Sequence, residues 1–346
     1  MNTQRRVTAK DVARRAGVSQ STVSYVLNDT PNQTISDDTK KRVRLAAEEL
    51  NYMPSAAART LRRGTSDTVL VIIRDAQIGE ILAQILEGVV HTLDPHGLNV
   101  IYRRQRPGKS ALDLCHELMP AAVANFAALT KDEIGRIQEW NIPVLSISFD
   151  DTAPTDAGDT VILAQTAIGR THVAHLHEQG HTRIAYAAPD IRDVEDYDTW
   201  RLTGVRDECV TRGLPRPPVI HTPYNLDGGM EAAREILALD PPVTAISAFN
   251  DEVATILLAA FHRLNVPIPE RLSIIGVDDL PLSPFTYPSL TTINIHAYDI
   301  GTHVAQLVLR TVRPDLNLPA PPPVGELTLI TRDSVSAPVS PPGHAE

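Results

Sequence analysis

Between Ala16 and Ser19 the chain reads A-G-V-S, and this short run constrains the first sixty residues more than any other feature. Gly17 is free to take positive φ and stop a helix, Val18 can fill the angle between two helices, and Ser19 is an N-cap for the next. Upstream, Thr8 with Asp11 three residues on forms a capping-box pattern, and the helix it starts carries Val12, Ala13 and Ala16 on one face. Downstream, a helix from Gln20 to about Asn28 places Val23, Val26 and Leu27 inward and turns Gln20, Ser21, Ser24 and Tyr25 outward. Two short helices joined this way are a helix-turn-helix, and the outward residues of the second are those that would meet base edges in a major groove.

Ser36, followed by Asp37 and Asp38 at the positive end of the helix dipole, announces a third helix with Val43, Ala46 and Leu50 inward, ending at Asn51. The three helices close a small bundle. After it, Pro54 and Ser55 open an alanine-rich stretch ending at Gly64 that spells one short helix, too short to hold its shape alone. Residues 1–65 hold 12 Lys or Arg against 6 Asp or Glu, a net of +6. The whole chain carries −10, so the remainder carries −16. A basic head on an acidic body confines nucleic-acid contact to one end.

The body alternates strand and helix. V-L-V-I-I (69–73) is a strand buried on both faces; helices near 78–93, 111–118 and 133–140 alternate with strands at 99–102, 122–127 and 144–147. A second series starts with 161–163 and a helix over 168–178. It runs through strands at 183–188, 219–220, 244–249 and 272–277 and helices near 200–212, 228–239 and 252–264. Leu290 to Ile293 reads as a strand, Asp299 to Arg310 as a helix, 319–323 as an extended proline run and 326–332 as a last strand. Parallel strands need crossover helices, so the expected body is two doubly wound parallel-sheet subdomains, with a ligand cleft beyond the carboxyl ends of their strands. The expected boundaries are a helix-turn-helix domain at 1–53, hinge helix and linker at 54–65, an effector and dimerisation domain at 66–337, and a loose tail at 338–346. Within the body, the first subdomain takes about 66–158 plus 290–318 and the second about 159–289 plus 319–337.

V-T-A-K-D-V-A-R-R-A-G-V-S-Q-S-T-V-S-Y-V-L-N, followed by L-N-Y-M-P-S-A-A-A-R-T-L, resembles the DNA-binding head and hinge of the LacI/GalR (lac repressor) family of bacterial transcription regulators. In the body, G-H-T-R-I-A-Y (180–186), W-R-L-T-G (200–204), F-N-D (249–251), S-I-I-G-V-D-D (273–279) and P-S-L-T-T-I (288–293) follow the family's order and spacing. The resemblance implies an all-α head with a hinge helix, then an α/β effector domain of the periplasmic-binding-protein-like (type I) fold. It is weakest between Arg74 and Ile147. There the family has an Asn-Pro-aromatic segment after the first strand, whereas this chain has D-A-Q-I-G-E-I-L, so a ring is missing from one cleft wall.

The resemblance also implies roles. Gln20, Ser21 and Tyr25 fall where the family reads bases, and an amide such as Gln20 can donate and accept in one bidentate contact suited to adenine. Thr8, Ser19, Thr22, Ser24 and Asn28 fall near phosphates, where neutral donors fix register. Leu61, beside Ala58 on the hinge, matches the leucine that wedges into the minor groove and bends the duplex. Arg201, Asn250 and Asp278 match positions that hold polar groups of the effector. A guanidinium fork, an amide and a carboxylate suit a ligand rich in hydroxyls or ring nitrogens, of the sugar or nucleoside class. Ile295 stands where a relative has a polar effector contact.

Competing classes find less support. A bilobed sugar-binding protein has the body but not the basic head. For an enzyme there is no G-x-S-x-G elbow, P-loop or Rossmann glycine fingerprint, and Asp278 and Asp279 would point apart if extended. His172, His175 and His177 share one helix without a recognised metal spacing, and no cofactor motif is present. Cys115 and Cys209 read as buried packing thiols in a reducing cytoplasm, and no stretch reads as a secretion signal or membrane span. The expected partners are a pseudo-palindromic operator, a small effector and a second copy of the chain.

Overall fold

The computed structural model describes residues 7–27, 33–52, 66–74, 79–106, 108, 110–126, 129–149, 160–163, 165–190 and 195–339. The expected hinge helix, with Ala58 and Leu61, and the contact residue Asn28 lie outside these. The chain divides into two compact units, Met1–Ser66 and Asp67–Glu346.

In the first unit α1 (Ala9–Ala16), α2 (Gln20–Leu27) and α3 (Asp37–Glu49) form the expected bundle. The Thr8 amide and hydroxyl both donate to the Asp11 carboxylate, at 3.0 and 2.7 Å. Gly17 ends α1 at φ 67, a conformation that suits glycine, and Val18 turns its amide back to the Ala13 carbonyl. Ser19 caps α2 by accepting from the Thr22 amide, and Ser36 caps α3 by accepting from Thr39. Val12, Ala13, Ala16, Val23, Val26, Val43, Ala46 and Ala47 fill the core. These are small side chains. They let three short helices pack closely, and burial of this core rather than propensity holds helices only 8 residues long.

The second unit holds two parallel sheets. The first contains β1 (Thr68–Ile73), β2 (Asn99–Arg104), β3 (Ala122–Phe126), β4 (Val144–Ser148) and β5 (Thr160–Ile162), in the order β2-β1-β3-β4-β5. Successive residues of β1 face opposite sides. Val69, Val71 and Ile73 meet α4 (Glu80–Leu93) and α11 (Ala297–Val312), while Leu70 and Ile72 meet α5 (Ala111–Leu118) and α6 (Lys131–Glu139). That two-sided burial is why β1 reads as an unbroken apolar run. Helices α4 and α11 approach backbone to backbone: a Cβ on Gly88 would run into the Tyr298 carbonyl, and one on Gly301 into that of Ile85.

The second sheet has the order β7-β6-β8-β9, built from β6 (Ile184–Pro189), β7 (Val219–Thr222), β8 (Ala245–Ala248) and β9 (Ser273–Ile275). Its core also takes in α7 (Gln165–Glu178), α8 (Glu195–Thr211), α9 (Leu226–Leu237) and α10 (Asp251–Arg263). A two-stranded antiparallel ribbon, β10 (Thr292–Asn294) with β11 (Thr328–Ile330), lies where the chain passes between the subdomains.

Two placements differ from the expected subdomain division. β5 does not open the second half; Ser146–Ser148 of β4 pairs with it in parallel, making it the edge of the first sheet. Three residues of apolar pattern fix a strand but not its partner. The stretch after Leu318 packs first on the first subdomain, through Val324 and Leu327, and joins the second core only at Val335. A proline run has no periodicity to reveal that route. The chain therefore passes between cores after β5, between Ile275 and Val277, back between Val277 and Leu290, again between Leu290 and Ile293, and along β11, where Leu329 touches both.

Candidate nucleic-acid interface and ligand cleft

On the head, burial of Val23 and Val26 orients α2. Gln20 and Ser21 are exposed and Tyr25 is 36% exposed, so the three expected base readers share the outer surface of one helix. Ser19 Oγ lies 2.7 Å from Ser21 Oγ and 2.8 Å from Thr22 Oγ1, a hydroxyl cluster at the helix N-terminus whose amides also face outward. Thr8 is exposed, and Thr22 and Ser24 on α2 are partly buried. The geometry offers neutral donors and one amide along an exposed helix, with Lys10, Arg14 and Arg15 exposed on α1. That combination suits a phosphate backbone with base edges beyond it.

In the second unit the strand ends of the second sheet bring the polar residues together. Arg201 on α8 is 8% exposed. Its Nε donates to Gln165 Oε1 at 3.0 Å, its Nη1 donates to the Phe249 carbonyl at 2.6 Å, and the guanidinium lies 4.6 Å from the Phe249 ring centroid. Its Nη2 is 3.8 Å from Asp278 Oδ1, an ion pair too long for a hydrogen bond. The Asp278 side chain is only 9% exposed, and its Oδ1 has no hydrogen-bond partner. Burial pushes its carboxyl up to about 7; Arg201 pulls the other way, and Asp251 and Glu252 add to the rise. Backbone φ values of 115 at Asp278 and 49 at Asp279 send the two carboxylates apart. Asp279 accepts from Arg332 at 2.6 Å and from Asn294 at 3.1 Å, tying the turn after β9 to β10 and to the segment after β11.

Asn250 has a structural duty as well. Its Oδ1 caps α10 by accepting from the Val253 amide at 2.9 Å and also accepts from the Tyr224 hydroxyl at 3.3 Å, while its Nδ2 donates to Glu252. The neighbouring Asp251 is buried and receives the Leu280 amide and the hydroxyls of Ser283 and Thr292. His172 is used inward too. A carbonyl can only accept, so its Nε2–H donates to Gly276 O at 2.8 Å, and burial lowers its pKa to about 3, leaving Nδ1 to accept from Ser247. Among the described residues no group of three or more His, Cys, Asp or Glu is arranged to hold a metal.

A family model for bacterial regulatory proteins of the lacI family matches residues 8–55, and one for a periplasmic binding protein-like domain matches residues 173–335. The HTH-type transcriptional repressor CytR of Escherichia coli (strain K12) is 30% identical over 309 residues, covering 87% of this chain and 89% of that protein. The chain belongs to the lacI family. The HTH-type transcriptional regulator GalR of the same organism is 29% identical over 343 residues, 96% of each chain. A crystal structure of the lac repressor dimer bound to operator and the anti-inducer ONPF superposes with a TM-score of 0.79 at 23% identity, covering 96% of this chain and all of that one. The lacI-family fold, a helix-turn-helix head before a body with two parallel sheets, is thus the fold of this protein. Its relatives are transcription regulators rather than enzymes.

Of the expected cleft residues, Arg201 and Asp278 form a pair, and Asn250 follows Phe249, whose carbonyl accepts from Arg201. Ile295 is 8% exposed, in the first core, and offers the cleft no polar group. The sequence alone did not single out Gln165, Tyr224 or Phe249. Phe249 and Tyr224 each stand immediately beyond a short strand, at 248 and close after 222, where ligands of parallel sheets are met. Gln165 carried no such signal.

Proposed function

We propose that this lacI-family regulator is a repressor that binds a pseudo-palindromic operator as a homodimer and answers to a sugar-like or nucleoside-like effector held between its subdomains. Gln20, Ser21 and Tyr25 read bases, and Thr8, Ser19, Thr22, Ser24 and Asn28 set register on the phosphates. Ala58 and Leu61 belong to a hinge that folds on the operator, with Leu61 as the minor-groove wedge. Arg201, Asn250 and Asp278 hold the effector. The observation that carries the cleft reading is the Asp278 carboxyl, buried beside Arg201 with one oxygen left without a hydrogen bond. A buried acceptor without a donor is costly, and a ligand hydroxyl or ring N–H would supply one.

Pairing with a second copy is supported by Leu282, Phe285 and Tyr287, which are 73%, 81% and 86% exposed on one stretch of the second subdomain. The compartment is the bacterial cytoplasm. Cys115 and Cys209, buried as free thiols, suit reducing conditions, and among the described residues no helix is long and apolar enough to cross a membrane.

Mechanistically, an effector that binds one angle between the subdomains better than another shifts that equilibrium, and the hinges then pair or separate. Linkage makes the effect mutual: operator and effector change each other's affinity by the same factor. The test is operator affinity by fluorescence anisotropy, with and without saturating effector, in wild type and Asp278→Ala. The reading expects an effector response in wild type that the variant loses, with operator affinity in the absence of effector retained. An equal response in both would put the effector elsewhere.

A further inference from the structure

The segment after β1 lacks the ring that the family pattern puts on the cleft wall, and three rings meet elsewhere, where the two subdomains touch. Phe149 follows β4 of the first subdomain, and Tyr197 and Trp200 lie in the first turns of α8 in the second. The centroids of Phe149 and Tyr197 are 4.9 Å apart at 71°, and those of Tyr197 and Trp200 are 5.8 Å apart at 88°, both edge to face. Phe149 packs on the first core and Tyr197 on the second, so this contact spans the two subdomains. None of the three is fully buried. Phe149 stands just beyond the carboxyl end of β4 and α8 begins beyond that of β6, so the rings lie at the carboxyl ends of both sheets, the end at which Arg201 on α8 is paired with Asp278 after β9.

Aromatic side chains left partly exposed at the same strand ends as a buried carboxylate and a guanidinium have the make-up of a small-molecule wall: an apolar face with a few convergent polar groups. We propose that Phe149, Tyr197 and Trp200 form the specificity-determining wall of the effector cleft, taking the flat face of the ligand while Arg201 and Asp278 take its polar edge. Phe149 then supplies from β4 the ring that the chain lacks after β1. The shared ligand chemistry is a flat, weakly polar face, the C–H face of a pyranose or the π face of a nucleobase, and either meets an aromatic ring favourably. Because the rings come from both subdomains, the ligand's thickness sets how far Phe149 stands from Tyr197. This inference rests on the reading of the cleft as the effector site.

The chain has two tryptophans, so Trp140→Phe leaves Trp200 as the single reporter. In that background adenosine, cytidine, D-galactose and cellobiose are titrated, each to its solubility limit, while Trp200 emission is followed. A saturable change with the nucleosides alone assigns a base, and one with the sugars alone a pyranose; either supports the wall. Phe149→Leu and Tyr197→Leu keep apolar bulk without the ring and should weaken that binding roughly two- to tenfold with melting near that of the parent. Asp278→Asn separates the two ideas. Binding lost in Asp278→Asn but intact in both leucine variants, with Trp200 silent, overturns the ring wall and leaves the cleft reading. Binding intact in Asp278→Asn and lost in the leucine variants keeps the wall and removes the polar pair. No response of Trp200 to any of the four probes overturns the proposal as well.

Discussion

Asp278→Asn should stabilise the second unit at alkaline pH and not at acid pH. The substitution keeps the side chain's size, and asparagine tolerates positive φ better than most residues, so the φ of 115 is no obstacle of its own. What it removes is a buried charge. In the folded protein burial raises the Asp278 carboxyl from its ordinary 3.8 to about 7. Below both values the group is protonated folded and unfolded, and costs nothing. As pH rises from about 4 to about 7 the unfolded chain gives up this proton while the folded chain keeps it, so stability falls across that window and levels off above it. The span of about 3 pH units is worth roughly 4 kcal/mol at full ionisation. Urea unfolding of wild type and variant, followed from about pH 5 to pH 8.5, reads the difference directly. Other groups shifted by burial, such as Asp198 and His172, are common to both proteins and cancel. The variant's advantage should grow by roughly 3 kcal/mol from the lowest pH to the highest, because about two of the three pH units fall inside this range. Parallel stability profiles would refute the argument and mean that Asp278 is ionised at little cost, through Arg201 or through water.

Other expectations are simpler to check. DNA affinity should fall about a thousandfold between about 50 and 200 mM salt where six or more phosphates are neutralised, and a flat profile in a filter-binding series would contradict the use of the basic head. Leu61→Ala should reduce operator bending in a gel-phasing assay without altering the melting of the effector unit; unchanged bending removes the wedge. Gly88→Ala should destabilise the body by roughly 1–3 kcal/mol, because the new Cβ meets the Tyr298 carbonyl of α11 and two packed helices must part. An unchanged denaturation midpoint would show that the helices separate freely.

The head was almost fully legible in the sequence, because its structure is set by local chemistry: a cap at Thr8, a positive-φ glycine at Gly17, a second cap at Ser19 and apolar spacing that matches one helical face. The sheets were legible for a related reason, since short, β-branched-rich apolar runs such as 69–73 suit strands buried on both sides. What escaped was the partnership of elements too short to carry a pattern. β5 has three residues and could have joined either sheet. The cleft was half visible. Resemblance pointed to Arg201, Asn250 and Asp278, but not to the cap that occupies Asn250 or to Gln165 and the Phe249 carbonyl that steady Arg201. The meeting of Phe149 with Tyr197 was invisible, because it depends on how two subdomains come together and no spacing along the chain encodes it.

The claim that this lacI-family protein reads a specific operator through α2 is tested most directly by selecting bound duplexes from a random DNA pool, in parallel with wild type and Gln20→Ala. Wild type should enrich a site of two inverted half-sites. Gln20→Ala should enrich the same site with preference relaxed at one base pair in each half, and isolated duplexes should put the loss at that pair at roughly 1–3 kcal/mol. A pool that stays random with wild type, or a Gln20→Ala pool identical to that of wild type at every position, would contradict the account.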